Sequence, residues 1–203
     1  MAADRCRFVQ QIGEDLLPVE VTRATDAPDV VSMDQGPPVF GNTISDRAEL
    51  AAALSLTVED LSAEHLPQVV STGAGHLLVP VRRRAAIDSA VPDSPRLASV
   101  LADVGGEGCY LYRLDPVDPS DAVAYTRFFN PTMGIQEDPA TGTAAGPLMA
   151  RLVAESVVAD GTTAVIEQGY SLGRPSRSRV TVSGDLVRIS GSGMVDASGV
   201  LHV

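Results

Sequence analysis

The sequence predicts an α+β fold in which antiparallel strands wrap around one central apolar helix. Segments of alternating apolar and polar residues, the period of half-buried strands, recur along the chain. One segment of helical length, Ala144 to Val153, is apolar almost throughout, and a helix apolar on all sides is an enclosed one. The later strand-like segments are joined by turns rich in Gly and Ser, as hairpins are.

Arg7 to Arg23 reads as two strands around a turn. Phe8, Gln10 and Ile12 alternate, Gly13-Glu14-Asp15 turns the chain, and Leu17, Val19 and Val21 alternate again. Val30 to Met33 is a further strand, and Gln35-Gly36-Pro37-Pro38 breaks regular structure. Thr43 to Leu56 reads as a helix, with Ser45 as N-cap and Leu50 and Leu54 on its apolar stripe. Val58 to Leu61 adds a short turn. Gln68 to Ser71 and His76 to Val81 are strands flanking Thr72-Gly73-Ala74-Gly75. Arg82-Arg83-Arg84 is either a solvated strand end, the commoner use of such charges, or an anion clamp. Pro92 to Val104 contains a helix. Glu107 to Leu114 and Ala122 to Phe129 are strands separated by the loop Asp115 to Ser120. The central helix ends near Glu155, and strands follow at Thr163 to Gln168, Ser178 to Val182, Leu186 to Ser190 and Val200 to Val203.

The 203 residues suffice for one or two domains, and 44% hydrophobic with 20% charged content describes a chain that buries a core. The net charge of −11 argues against nucleic acid and anionic membrane surfaces as partners, since both are held by Lys and Arg. All fifteen basic residues are Arg, which excludes a lysine Schiff base and a P-loop lysine. The two cysteines, Cys6 and Cys109, form no CxxC and stand at no metal-ligand spacing from a His. Cys109 reads as a buried strand thiol. No apolar run reaches transmembrane length, and Met1 to Arg5 opens no signal-peptide h-region. The expected compartment is the cytoplasm.

The stretch Gly134-Ile-Gln-Glu-Asp-Pro-Ala-Thr-Gly-Thr-Ala144 carries the chemistry. Glu137 and Asp138 precede a Gly- and Thr-rich turn that runs into the central helix. The first amides of a helix have no intrahelical acceptor, and the helix dipole favours an anion beside them. Thr141, Gly142, Thr143 and Ala144 are therefore either a cradle for a substrate carboxylate or an ordinary N-cap. Asp138 is either a proton-transfer group or a carboxylate that complements the dipole. Glu137 is read as structural, pairing with Arg127 or Arg174 or capping a turn. Gly73 and His76 follow a strand and are candidates to line the same cleft; His65 and His202 are weaker candidates. Arg174 either holds its turn, the commoner use of a lone Arg there, or faces the substrate. Ser190-Gly191-Ser192-Gly193 opens no helix and so is no dinucleotide fingerprint.

Arg127-Phe-Phe-Asn-Pro-Thr-Met-Gly-Ile-Gln-Glu-Asp-Pro-Ala-Thr-Gly-Thr-Ala144, followed by Glu167-Gln-Gly-Tyr-Ser-Leu-Gly-Arg-Pro-Ser176, resembles the signature of the phenazine-biosynthesis PhzF-like family. The resemblance implies the diaminopimelate epimerase-like fold. It also implies an isomerase that moves a proton on a small carboxylate-bearing metabolite without metal or organic cofactor. Asp138 matches an aspartate of the family's active site, and Thr143 a position usually held by Ser. Related amino-acid epimerases carry a catalytic Cys in the corresponding turn; no Cys occurs here, which argues against two-cysteine racemisation.

The match covers the family's second domain. Residues 1–40 are expected to be a remnant of the first domain and 41–203 the second. The first domain's catalytic glutamate, from an Asn-x-x-Glu-Thr segment, matches no position here, and Gly75-His76 runs into a strand where the family has a helix start. The sequence thus leaves two functions open: an isomerase, whose activity alone the missing glutamate puts in question, or a non-catalytic small-acid-binding or oligomerisation module, a truncated or split half-enzyme. Either way, Arg7 to Met33 is expected to lack its usual sheet partners. Exposed strand edges recruit another chain, so a homodimer or pairing with a missing N-terminal half is expected.

Overall fold

The computed structural model describes residues 4–23, 27–193 and 197–200. Its strands are β1 (Asp4–Ile12), β2 (Asp15–Arg23), β3 (Asp29–Gln35), β4 (Val39–Thr43), β5 (Gln68–Ser71), β6 (Gly75–Pro80), β7 (Gly108–Arg113), β8 (Ala122–Asn130), β9 (Ile135–Asp138), β10 (Thr163–Gln168), β11 (Ser176–Ser183) and β12 (Leu186–Gly193). Its helices are α1 (Ala48–Ala53), α2 (Arg84–Ser89), α3 (Ser94–Val104) and α4 (Gly142–Ala154). The strands form one sheet in the order β1-β2-β3-β12-β11-β10-β8-β7-β6-β5-β4, with β9 paired to β8. The pairs β6–β7 and β8–β10 are parallel, each reached by a crossover through helix; the others are antiparallel.

The two-residue period of the strands divides the side chains between two cores. Leu78, Tyr110, Tyr112, Ala124, Phe128, Ile166, Val180 and Val187 face α4, which is buried from Ala144 through Leu152. Leu77, Val79, Cys109, Leu111, Tyr125 and Phe129 point the other way, onto α1, α2 and α3. Leu148 and Met149, both fully enclosed, each contribute about 1.5–3 kcal/mol of burial. That enclosure offsets Pro147 inside α4, which cannot donate to the carbonyl four residues earlier, a cost of about 3 kcal/mol. Helix α3 carries its own start and stop signals: Asp93 Oδ1 accepts from the Arg96 amide at 3.1 Å, and Gly105 closes it at φ 75°.

Several elements differ from the sequence reading. The helix expected over Thr43 to Leu56 is the six residues of α1, because Val39 to Thr43 pairs with β5 instead. Ser45 does not cap it; the Asp46 carboxylate accepts from the Ala48 amide at 3.1 Å. Arg84 opens α2, whose Ala86 and Ile87 bury against the outer core where the three arginines mask the helical period. Residues 201–203 of the strand expected at Val200 to Val203 lie outside the described residues, and Val200 is in no strand. The expectation that Arg7 to Met33 lacks sheet partners holds only for the outer edge of β1. Strand β3 pairs with β12 over seven residues, Asp29↔Gly193 to Gln35↔Val187. Among the described residues, no helix is long and apolar enough to cross a membrane.

Candidate active site

Strand β9 is what separates the two acids. Adjacent residues of a strand point to opposite faces, so Glu137 turns outward and Asp138 inward, toward α4. Glu137 meets Arg127, which β8 also points outward: Nε and Nη2 of Arg127 donate to the two carboxylate oxygens at 2.9 and 2.7 Å. The two side chains are only 9% and 10% exposed. Arg127 Nη1 donates to the carbonyls of Ile87 and Ala90 at 2.8 and 3.0 Å, which ties the pair to α2. Burial pushes the Glu137 carboxyl up, but hydrogen bonds from Arg127 and Ser171 outweigh it and hold the group below its ordinary range. The pairing fixes β9, and so fixes where Asp138 stands.

Asp138, half-buried, accepts a hydrogen bond at Oδ2 from the Thr141 hydroxyl. Gln168, at the end of β10, knits this corner together. Its Nε2 donates to the Asp138 carbonyl at 2.6 Å and to Thr141 Oγ1 at 3.0 Å. Its Oε1 accepts from the Thr141 amide at 3.3 Å and from the Tyr110 hydroxyl at 3.0 Å. Both donors and both acceptor sites of the amide are thereby used. Burial pushes the Tyr110 hydroxyl above its ordinary range, a bond with Thr126 pulls it back, and the Asp138 charge adds to the rise. The phenol therefore stays protonated and donates. Neighbouring Glu167 points outward, fully buried, and accepts from the Val117 and Asp118 amides and Arg177 at 2.6, 3.1 and 2.9 Å. Gln168→Leu is expected to cost about 1–3 kcal/mol for each buried partner left unpaired. A shift of the urea midpoint checks this.

Because the Thr141 hydroxyl is spent on Asp138, it does not cap α4. The Ala144 and Ala145 amides both turn back to the Thr141 carbonyl, at 3.2 and 3.1 Å. Ala144 is fully buried, so the amides left at the helix start are those of Gly142 and Thr143. Thr143 forms one wall of a cleft of about 450 Å³, opposite Gln35, Gly36, Thr72, Gly73 and Glu107, a size suited to a small metabolite. Gln35 spans from the helix start to the β5–β6 turn: Nε2 donates to the Gly142 carbonyl at 3.0 Å and Oε1 accepts from Thr72 Oγ1 at 2.9 Å. Gly146 makes this path open, since a Cβ there would stand 1.9 Å from Gln35 Oε1.

Behind Thr143 lies His76, 3% exposed, its Nε2 3.1 Å from Thr143 Oγ1. Burial lowers the pKa of its ring to about 4, against a smaller upward pull from Glu107. As pH falls from 6.5 toward 4, the unfolded chain takes up a proton at this ring and the folded chain does not. The stability tied to a neutral His76 is thus present above pH 6.5 and is lost toward pH 4, by at most about 3 kcal/mol. Urea unfolding of wild type and His76→Phe at pH 7 and 4.5 reads the difference, with a shallower acid loss expected for the variant.

The structure thus brings the sequence-level candidates to one end of α4 in two groups. Asp138 and Thr141 stand with Gln168; Gly73, Thr143 and His76 stand at the cleft, with His76 in its second layer. Asp138 does not itself line the cleft wall. Gln168, Gln35, Thr72 and Glu107 went unselected in the sequence. Gln168 was legible, since it is the inward partner of Glu167 on a strand read residue for residue.

The family profile described as "Phenazine biosynthesis-like protein" matches residues 1–199. The chain is similar to "Uncharacterized isomerase YddE" of Escherichia coli K12, 33% identical over 179 residues that cover 81% of this chain and 58% of the relative. It is similar to a trans-2,3-dihydro-3-hydroxyanthranilate isomerase of Pseudomonas aeruginosa, 29% identical over 205 residues, 97% of this chain and 67% of that one. Among solved structures it resembles a "Predicted Epimerase" from Pseudomonas aeruginosa, with a TM-score of 0.81 and 31% identity over 97% of this chain and 69% of that one. The chain spans 58% of the length of the E. coli relative. It has the diaminopimelate epimerase-like fold, and it belongs to the family of phenazine biosynthesis-like proteins.

Proposed function

We propose that this chain contributes to an isomerase site that moves a proton on a small carboxylate-bearing metabolite, without metal or organic cofactor. Asp138 orients the substrate or carries the proton. The Gly142 and Thr143 amides, at the positive end of the α4 dipole, hold the carboxylate. The observation that carries the reading is the uncapped start of α4 beside an inward-facing carboxylate. The relatives named as isomerases support the reaction class.

The second proton-transfer group is supplied from beyond these residues, by a second copy of this chain or by the region its relatives have in addition. Support comes from the outer edge of β1 and the exposed Phe8, Val9 and Leu16 beside it, which favour pairing. Light scattering at micromolar concentration is expected to give a dimer or larger species; a strict monomer contradicts the homodimer. The cytoplasm is the proposed compartment, in keeping with two free thiols, Cys6 and Cys109. A second reading, a small-acid-binding or oligomerisation module without turnover, is favoured by the place of Asp138 off the cleft wall.

Titrating ¹⁵N-labelled protein with paired small acids and their neutral carboxamides tests the anion cradle. The Gly142 and Thr143 amide signals are expected to move with the acids alone. Equal movement with the carboxamides would remove the case for a carboxylate site.

A further inference from the structure

His76 does more than fill the core behind the cleft. Its ring is wedged edge-to-face against Phe128, centroids 5.0 Å apart at 82°. Strand β6 places it beside Gly108, where a Cβ would stand 2.5 Å from Phe128 Cζ and 3.1 Å from His76 Nδ1. Glycine is what leaves room for the ring. Of its two nitrogens, Nε2 faces Thr143 Oγ1 at 3.1 Å and Nδ1 is buried with no partner. Glu107, the carboxylate whose charge acts on the ring, accepts from the Gly75 amide at 3.2 Å.

A neutral imidazole has one N–H and one bare lone pair. The ring is kept neutral by its burial, so the proton sits on one nitrogen or the other. A buried N–H with no acceptor is the rarer fault in folded proteins, and a bare acceptor is better tolerated. The proton therefore belongs on Nε2, which has an acceptor in Thr143 Oγ1, and the lone pair on Nδ1, which has no donor.

From this geometry we propose that His76 is a positioning residue: its Nε2–H donates to Thr143 Oγ1 and leaves the Thr143 hydroxyl proton free to donate into the cleft. Thr143, which lines the cleft, then presents its hydroxyl proton there, at the start of α4 that no side chain caps. The donated proton suits a carboxylate oxygen, and one lone pair of Oγ1 remains as the weaker, accepting face of the same hydroxyl. With the opposite tautomer the hydroxyl proton is consumed by His76, and Thr143 offers the ligand a lone pair. The inference rests on the reading of the cleft as a carboxylate site, which the acid and carboxamide titration tests separately.

Long-range ¹H–¹⁵N correlation of the histidine rings in the full chain at pH 7 tests the proposal without a ligand. The signals of His76 are assigned by their loss in His76→Phe, which keeps an aromatic ring against Phe128. The expected pattern is a neutral ring protonated at Nε2, with the Nε2 signal displaced in Thr143→Val and the rings of His65 and His202 unmoved. A ring protonated at Nδ1, or an Nε2 signal indifferent to Thr143→Val, overturns it. If His76→Phe does not fold, the Thr143→Val comparison assigns and tests the same signal.

Discussion

Asp138→Asn is expected to slow proton exchange at the reacting C–H of a substrate by at least about 10²-fold, the usual contribution of a positioned acid or base. Asparagine keeps the shape of the side chain, and its carbonyl oxygen still accepts from the Thr141 hydroxyl. It cannot take up and return a proton. The Gln168 bonds run to the backbone carbonyl of residue 138 and to Thr141, not to the carboxylate. The substitution should therefore leave folding within about 1 kcal/mol of wild type, as for changes that break no buried network. An equal loss of stability and exchange would mean that Asp138 is a structural carboxylate.

Arg127→Met is expected to have the largest effect on stability, a loss of about 3–5 kcal/mol. It leaves the Glu137 carboxylate in a site where it is 10% exposed, with only Ser171 to hold it. It also removes the donor shared by the carbonyls of Ile87 and Ala90. Breaking a buried pair by removing one partner is costly, while replacing both with apolar groups is often close to neutral. Adding Glu137→Leu to Arg127→Met should thus recover part of the loss. Urea midpoints of the two single variants and the double variant give the coupling. If Arg127→Met costs less than about 1 kcal/mol, the pair does not anchor β9.

The sequence was a good guide wherever period and burial agreed. Strand β10 was legible to the residue, because Thr163, Val165 and Ile166 are β-branched and Gly161 and Gly169 bound the segment. The enclosed helix was legible because Ala144 to Val153 is apolar but for Arg151. The site was legible in composition and not in arrangement. The sequence shows Glu137 and Asp138 only as two acids before a turn, yet they lie on β9, which pairs with β8, and that is what sends one acid to Arg127 and the other to α4. Gln35 looked like a breaker beside Gly36 and two prolines. Its bond to Gly142 spans 107 residues of sequence and depends on the missing Cβ of Gly146, which no local pattern reveals. Thr141 looked like an N-cap by residue type; its hydroxyl turns back to Asp138, and that leaves the Gly142 and Thr143 amides uncapped.

Proton NMR in D₂O tests the central claim most directly. The protein is incubated with amino acids and with cyclic and unsaturated small acids, with chelator present, beside Asp138→Asn. The account predicts that one substrate C–H signal fades with wild type and persists with the variant. A signal that fades equally with Asp138→Asn would contradict the role given to Asp138. A panel in which no C–H signal fades would contradict turnover by this chain and leave the cleft as a binding site.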